Sequence, residues 1–100
     1  MDQPRSRTLN RASEKIKEPE DYRVILLNDH YTTMEFVVEI LIVIFHKEIE
    51  EANRIMLDIH HKGKGIVGTY SWDIAETKAE QVRAAAKAND FPLRCIVEPV

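Results

Sequence analysis

One cysteine, Cys95, is all the chain contains, so no internal disulfide can staple it, and a lone thiol fits a reducing compartment. Its three glycines, Gly63, Gly65 and Gly68, fall around a helix stop and a strand, which leaves no glycine-rich loop to cradle a phosphate. Neither sign of charge dominates: 14 Lys and Arg against 17 Asp and Glu leave a net charge of −3, with no basic excess to steer the chain toward nucleic acid or an anionic membrane. The longest apolar run, residues 40–45, is far short of the ~20 residues that a membrane span requires. No apolar stretch near the N-terminus could serve as a secretory signal. What is there is 100 residues, enough for one domain that buries roughly 60–68% of its unfolded surface but not for a roomy catalytic chamber. The expectation is a small soluble domain of the cytoplasm.

Residues 1–20 differ in kind from the rest. Their only apolar members are Met1, Leu9, Ala12 and Ile16, and they mix Arg5, Arg7 and Arg11 with acids. A segment that can bury so little cannot offset its ordering entropy, so residues 1–20 read as a flexible extension ahead of a core at 21–100.

The core alternates in type. Residues 22–27 are a β-rich run stopped by the Asn28-Asp29 turn signal. Residues 33–45 read as a helix whose apolar positions almost encircle it, interrupted by Glu35 and Glu39. A second helix fits residues 48–62, with Ile49, Ala52, Ile55, Met56 and Ile59 at helical spacing, acids in the first turn and Gly63 as the stop. Residues 66–72 read as a strand. Thr77 with Glu80 three residues on has the form of a capping box and predicts a third helix to about residue 89. Pro92 then blocks continuation, and residues 93–97 read as a last strand with Leu93, Cys95 and Val97 on one face. The order β-α-α-β-α-β predicts an α+β fold, a two-layer sandwich of a three-stranded sheet and three helices.

Enzyme patterns are scarce. No Ser-His-Asp arrangement and no zinc spacing of cysteines occurs. His60 and His61 are adjacent on one helix and point about 100° apart, a poor start for a shared metal ion. A hydrolase built on His60 and Asp29 would have no identifiable nucleophile. What remains is a polar turn, Asn28-Asp29-His30-Tyr31-Thr32, running into an apolar helix, and His60 on the same helical face as Met56. From residues alone that pattern fits a binding site or ordinary packing.

The run Val24-Ile-Leu-Leu-Asn-Asp-His-Tyr-Thr-Thr-Met-Glu-Phe-Val-Val38 resembles the signature of the ClpS adaptors of bacterial Clp proteolysis. Arg54-Ile-Met-Leu-Asp-Ile-His-His-Lys-Gly-Lys-Gly65, Ile74-Ala-Glu-Thr-Lys78 and Pro92-Leu-Arg-Cys95 resemble later parts of that family, in the same order and spacing. The resemblance implies an adaptor without catalysis or cofactor. Such a domain binds proteins by an N-terminal Leu, Phe, Tyr or Trp and delivers them to a Clp AAA+ unfoldase, ClpA or a relative. It implies that Asn28, Asp29, His30 and His60 surround the substrate's α-amino group. It also implies a side-chain pocket of Thr32, Met34, Val37, Met56, Ile59 and Leu93, with Met34 as a gate against β-branched residues. Asp73, Glu76 and Lys78 match the region that faces the unfoldase.

The chain departs from that family's usual pattern in two places. His30 stands where the family usually has a second acid, so a group that gains positive charge on acidification replaces a negative one beside the expected ammonium. Ile42 and Val43 lie on the otherwise polar side of the first helix, where an apolar patch favours weak self-association. A competing expectation from another class is a general interaction domain similar to the C-terminal domain of the ribosomal L7/L12 stalk protein, which has a similar fold and no terminus-reading pocket.

Overall fold

Strand β1 (Tyr22–Leu27) is the hinge of the architecture because its middle residues, Val24, Ile25 and Leu26, are all buried, which only a central strand can achieve on both faces. A computed structural model describes residues 21–100; the extension expected at residues 1–20 lies outside them. After β1 come α1 (Met34–Val43), α2 (Ile49–Lys62), β2 (Lys64–Tyr70), α3 (Trp72–Ala88) and β3 (Arg94–Pro99). The order is β-α-α-β-α-β, as the sequence predicts. The sheet runs β2-β1-β3 with both pairings antiparallel. Val24 and Leu26 join Val67, Cys95 and the buried faces of the helices in one core. Ile25 points the other way, in register with Ile66 and Ile96.

Helix α1 starts where Thr33 caps it: the Thr33 Oγ1 accepts from the Phe36 N–H at 3.1 Å. It buries Phe36, Val37, Ile40 and Leu41. Ile42 and Val43 remain on its exposed side, 37% and 62% accessible. Its C-terminal end has no basic residue of its own. Lys78 reaches in from α3 instead, donating to the Ile44 carbonyl at 2.8 Å and standing 5.7 Å from the Phe45 ring centre.

Two glycines at the α2–β2 junction set how that helix meets the sheet. Gly63 closes α2 in the left-handed region at φ 89°, where it costs nothing sterically. Gly65 lies under the helix: a Cβ there would come 2.7 Å from Ile59 Cγ1 and 3.2 Å from the Ile55 carbonyl oxygen. Helix and strand therefore approach as closely as backbone allows, and Ala52, Ile55 and Ile59 form the buried stripe of α2, with Ile49 left half exposed.

Element boundaries differ from the sequence reading at several ends: α1 stops at Val43 rather than residue 45, β3 runs on to Pro99 rather than residue 97, and three further shifts have a physical reason. Helix α3 begins at Trp72, behind Ser71, and Thr77 is an exposed residue inside it. Its buried stripe is Ala75, Ala79, Val82 and Ala86, and the small residues at its start give a weak apolar signal that the capping-box pattern at Thr77 overrode. Strand β2 runs 64–70 rather than 66–72, because its pairing with β1 extends from Lys64 to Tyr70 and Trp72 is already helical. Strand β3 begins after Leu93. Leu93 and Cys95 are both buried. Burial pushes the Cys95 thiol up to about 11, despite the nearby Arg83, so it stays protonated and unreactive at neutral pH.

Lys78 thus has a structural task. Lys78→Met keeps the alkyl length and removes the ammonium, leaving the end of α1 without its donor. The expected cost is about 1–2 kcal/mol, read as a lower urea midpoint at unchanged slope. An unchanged midpoint would show that the bond to Ile44 contributes nothing.

Candidate functional site

The segment between β1 and α1 holds its shape through its own polar side chains. The Asp29 carboxylate accepts from the Tyr31 N–H at 2.8 Å and the Thr32 N–H at 2.7 Å through one oxygen, and from the Thr32 hydroxyl at 2.7 Å through the other. Burial by itself would raise the Asp29 pKa. The bonds to the Thr32 and Tyr31 amides and the Thr32 hydroxyl, with His30 close by, outweigh it and hold the carboxyl below its usual 3.8. Thr33 then caps α1. Asn28 donates its backbone N–H to the Gly63 carbonyl at 2.9 Å, which stitches the start of this turn to the end of α2.

That stitch brings two distant stretches of sequence to one cavity of about 560 Å³. Asn28, Asp29, His30, Tyr31, Thr32 and Thr33 come from the turn, Met34, Glu35 and Val37 from α1, and Met56, Ile59 and His60 from α2. Val37 and Ile59 are buried and Met56 is half-buried, whereas Met34, Asn28, His30 and His60 are exposed. The cavity has an apolar interior and a polar rim.

Nine of the ten residues expected around the amino group and in the pocket meet here. Leu93 does not line this cavity. It is buried just before β3 and lines a neighbouring groove instead. Asp73, Glu76 and Lys78 lie on α3 and contribute nothing to the cavity. Asp73 is exposed, Glu76 half-buried, and Lys78 is committed to Ile44. Tyr31, Thr33 and Glu35 line the cavity without having been singled out as site residues. Tyr31 sits in the middle of the polar turn and is 76% accessible, an exposure that turn position alone could have suggested.

The chemistry available is recognition. An Asn side-chain oxygen, a neutral imidazole nitrogen and a carboxylate are acceptors for a cationic donor. Among the described residues no group of three His, Cys, Asp or Glu side chains comes together as a metal site. The fold and cavity together define a small α+β domain with an apolar cavity beneath a rim of polar acceptors. A family model described as "ATP-dependent Clp protease adaptor protein ClpS" matches residues 17–96. The ClpS adapter protein of Syntrophus aciditrophicus is 58% identical over 87 residues, covering 87% of this chain and 81% of that one. Its counterpart in Campylobacter jejuni is 50% identical over 95 residues, covering 95% and 97%. Among solved structures, Agrobacterium tumefaciens ClpS2 bound to L-phenylalaninamide superposes with a TM-score of 0.80 at 39% identity, over 82% of this chain and 99% of that one. The chain belongs to the ClpS family, whose members are named as adaptors of a protease.

The Asp29 staple gives the site a pH limit. Its pKa is lower in the folded chain than its usual 3.8, so its contribution is complete above that value and is lost as pH falls through the lower folded one. The Tyr31 and Thr32 amide resonances should therefore shift together on acidification, with a midpoint below 3.8, and the shift should vanish in Asp29→Ala. A midpoint at or above 3.8 would contradict the staple.

Proposed function

We propose that this chain is an adaptor that binds proteins by their first residue, when it is Leu, Phe, Tyr or Trp, and delivers them to a Clp AAA+ unfoldase, ClpA or a relative. The single observation that carries the reading is the cavity itself, acceptors at the rim over an apolar interior. L-phenylalaninamide, the ligand named for the Agrobacterium relative, has the same two parts, a free α-amino group and a benzyl side chain. In this chain Asn28, His60 and the carboxylate edge of Asp29 would take the ammonium, with His30 beside them. Thr32, Met34, Val37, Met56 and Ile59 would enclose the first side chain.

The two halves depend on each other. An ammonium has three donors, and removing it from water without acceptors costs several kcal/mol. Burying a Leu or Phe side chain contributes about 1.5–3 kcal/mol. A chain end with a small side chain would lack the second term, and an internal Leu would lack the first. Met34, a flexible thioether at the rim, would narrow the entrance against branching at Cβ. Delivery would use the start of α3, where Asp73 and Glu76 are free of the cavity, and would take place in the cytoplasm.

Calorimetry with a ten-residue peptide bearing a free N-terminal Leu tests the reading against its N-acetylated twin. The free peptide should bind and the acetylated one should not. Asn28→Ala and His60→Ala should each weaken binding about ten- to a hundredfold, the loss of one charge-assisted hydrogen bond. Equal binding of the two peptides, or unchanged affinity in both variants, would remove the assignment.

Ile42 and Val43 also support weak self-association through α1. Sedimentation should show a concentration-dependent dimer that Ile42→Lys reduces, and a monomer throughout would refute it.

A further inference from the structure

A second groove, of about 590 Å³, shares Tyr31 with the first cavity. It forms where α3 ends. Asp90 takes a left-handed conformation at φ 61°, the Phe91 N–H returns to the Ala86 carbonyl at 2.9 Å, and Pro92 leads into β3. Phe91 packs against Phe36 with ring centres 4.8 Å apart, so the core fixes one wall of the groove. Ala86 and Leu93, both buried, form its floor.

The rims of the two cavities differ in sign. The first carries the carboxylates of Asp29 and Glu35 with two histidines. The second carries Arg83 and Lys87, one helical turn apart, against a single acid, Asp90. Arg83 already donates to the Cys95 carbonyl at 3.1 Å and lies 3.3 Å from Glu80. Lys87 pairs with no carboxylate among the described residues and is exposed. A ligand spanning both cavities is matched when it is positive at one end and negative a short way along.

We propose that the second groove receives the residues that follow the first one in an N-terminal peptide, and that Lys87 and Arg83 favour acidic side chains there. The inference rests on the reading of the first cavity as the seat of a free amino terminus. Each extended residue advances the chain by roughly 3.3–3.6 Å. The two cavities meet at Tyr31, 76% accessible, so a peptide seated in the first runs toward the groove across it. Exposed charge pairs are individually weak. Anchoring of the first residue makes the second contact intramolecular, at an effective concentration that lets a weak contact register.

The test is fluorescence anisotropy at low salt with three ten-residue peptides that start with Leu and carry Glu, Ser or Lys at positions two to four. The wild type should bind the Glu peptide most tightly and the Lys peptide least, with about a two- to fivefold step per favourable pair. The spread should collapse in 0.5 M salt. Lys87→Glu should reverse the order. Lys47→Glu, the same change of net charge on the loop between α1 and α2, should keep the wild-type order. Equal affinities in the wild type, an order that Lys87→Glu leaves intact, or an equal effect from Lys47→Glu would each overturn the groove as a subsite. If the three peptides bind alike but better than their acetylated twins, the first cavity stands and the groove alone fails. If none binds better than its acetylated twin, the first reading fails and the groove falls with it.

Discussion

Helix α2 lies so close on β2 that residue 65 has no room for a Cβ, and the binding cavity depends on that approach. A methyl group at this position would meet Ile59 Cγ1 at 2.7 Å, and Ile59 is the part of α2 that forms the buried interior of the cavity. Any retreat of the helix would carry Met56, Ile59 and His60 away from the turn after β1. The same junction holds Gly63, whose carbonyl accepts the Asn28 N–H. One close backbone approach and one hydrogen bond therefore join helix, strand and turn where the two stretches meet at the cavity.

The polar groups of the site divide between holding and reading. No polar or charged residue among those described is fully buried, so the core itself is apolar and makes no demand on the polar turn. Asp29 commits three acceptor positions of its carboxylate to Tyr31 and Thr32, leaving one edge for the rim, and the Thr33 hydroxyl accepts from Phe36. Asn28, His30 and His60 are exposed at the rim, where water serves them until a ligand replaces it. A turn whose backbone is held by its own side chains loses little backbone freedom when it binds, which lowers the cost of recognising a ligand as small as one terminal residue.

Local signals in the sequence carried most of the fold and the polar turn after β1, whereas the pocket residues were named by resemblance. Asn28-Asp29 and Gly63 were legible because turn chemistry acts within a few residues. The start of α3 was not, because Thr77 and Glu80 have the capping spacing while the true first turns bury only alanines on their inner side. Tertiary competition settled that end, with Ala75 packed in the core. Lys78 illustrates another limit. Its bond to Ile44 spans 34 residues, and nothing near it in sequence shows that its ammonium belongs to the end of a different helix. Leu93 was assigned to the pocket by resemblance, whereas the chain sets it beneath the groove beyond Tyr31, where the turn from Phe91 into β3 directs it.

The bond from Lys78 also bears on how binding and delivery could coexist in so small a domain. The first turn of α3, with Asp73 exposed, contributes no residue to the cavity, so a partner seated there would leave the substrate undisturbed. Separation alone would let the two faces act independently. Yet Lys78 ties α3 to the end of α1, and α1 supplies Met34 and Val37 to the cavity from its opposite end. The two helices and the cavity wall thus rest on one core while the exposed start of α3 and the cavity share no residue.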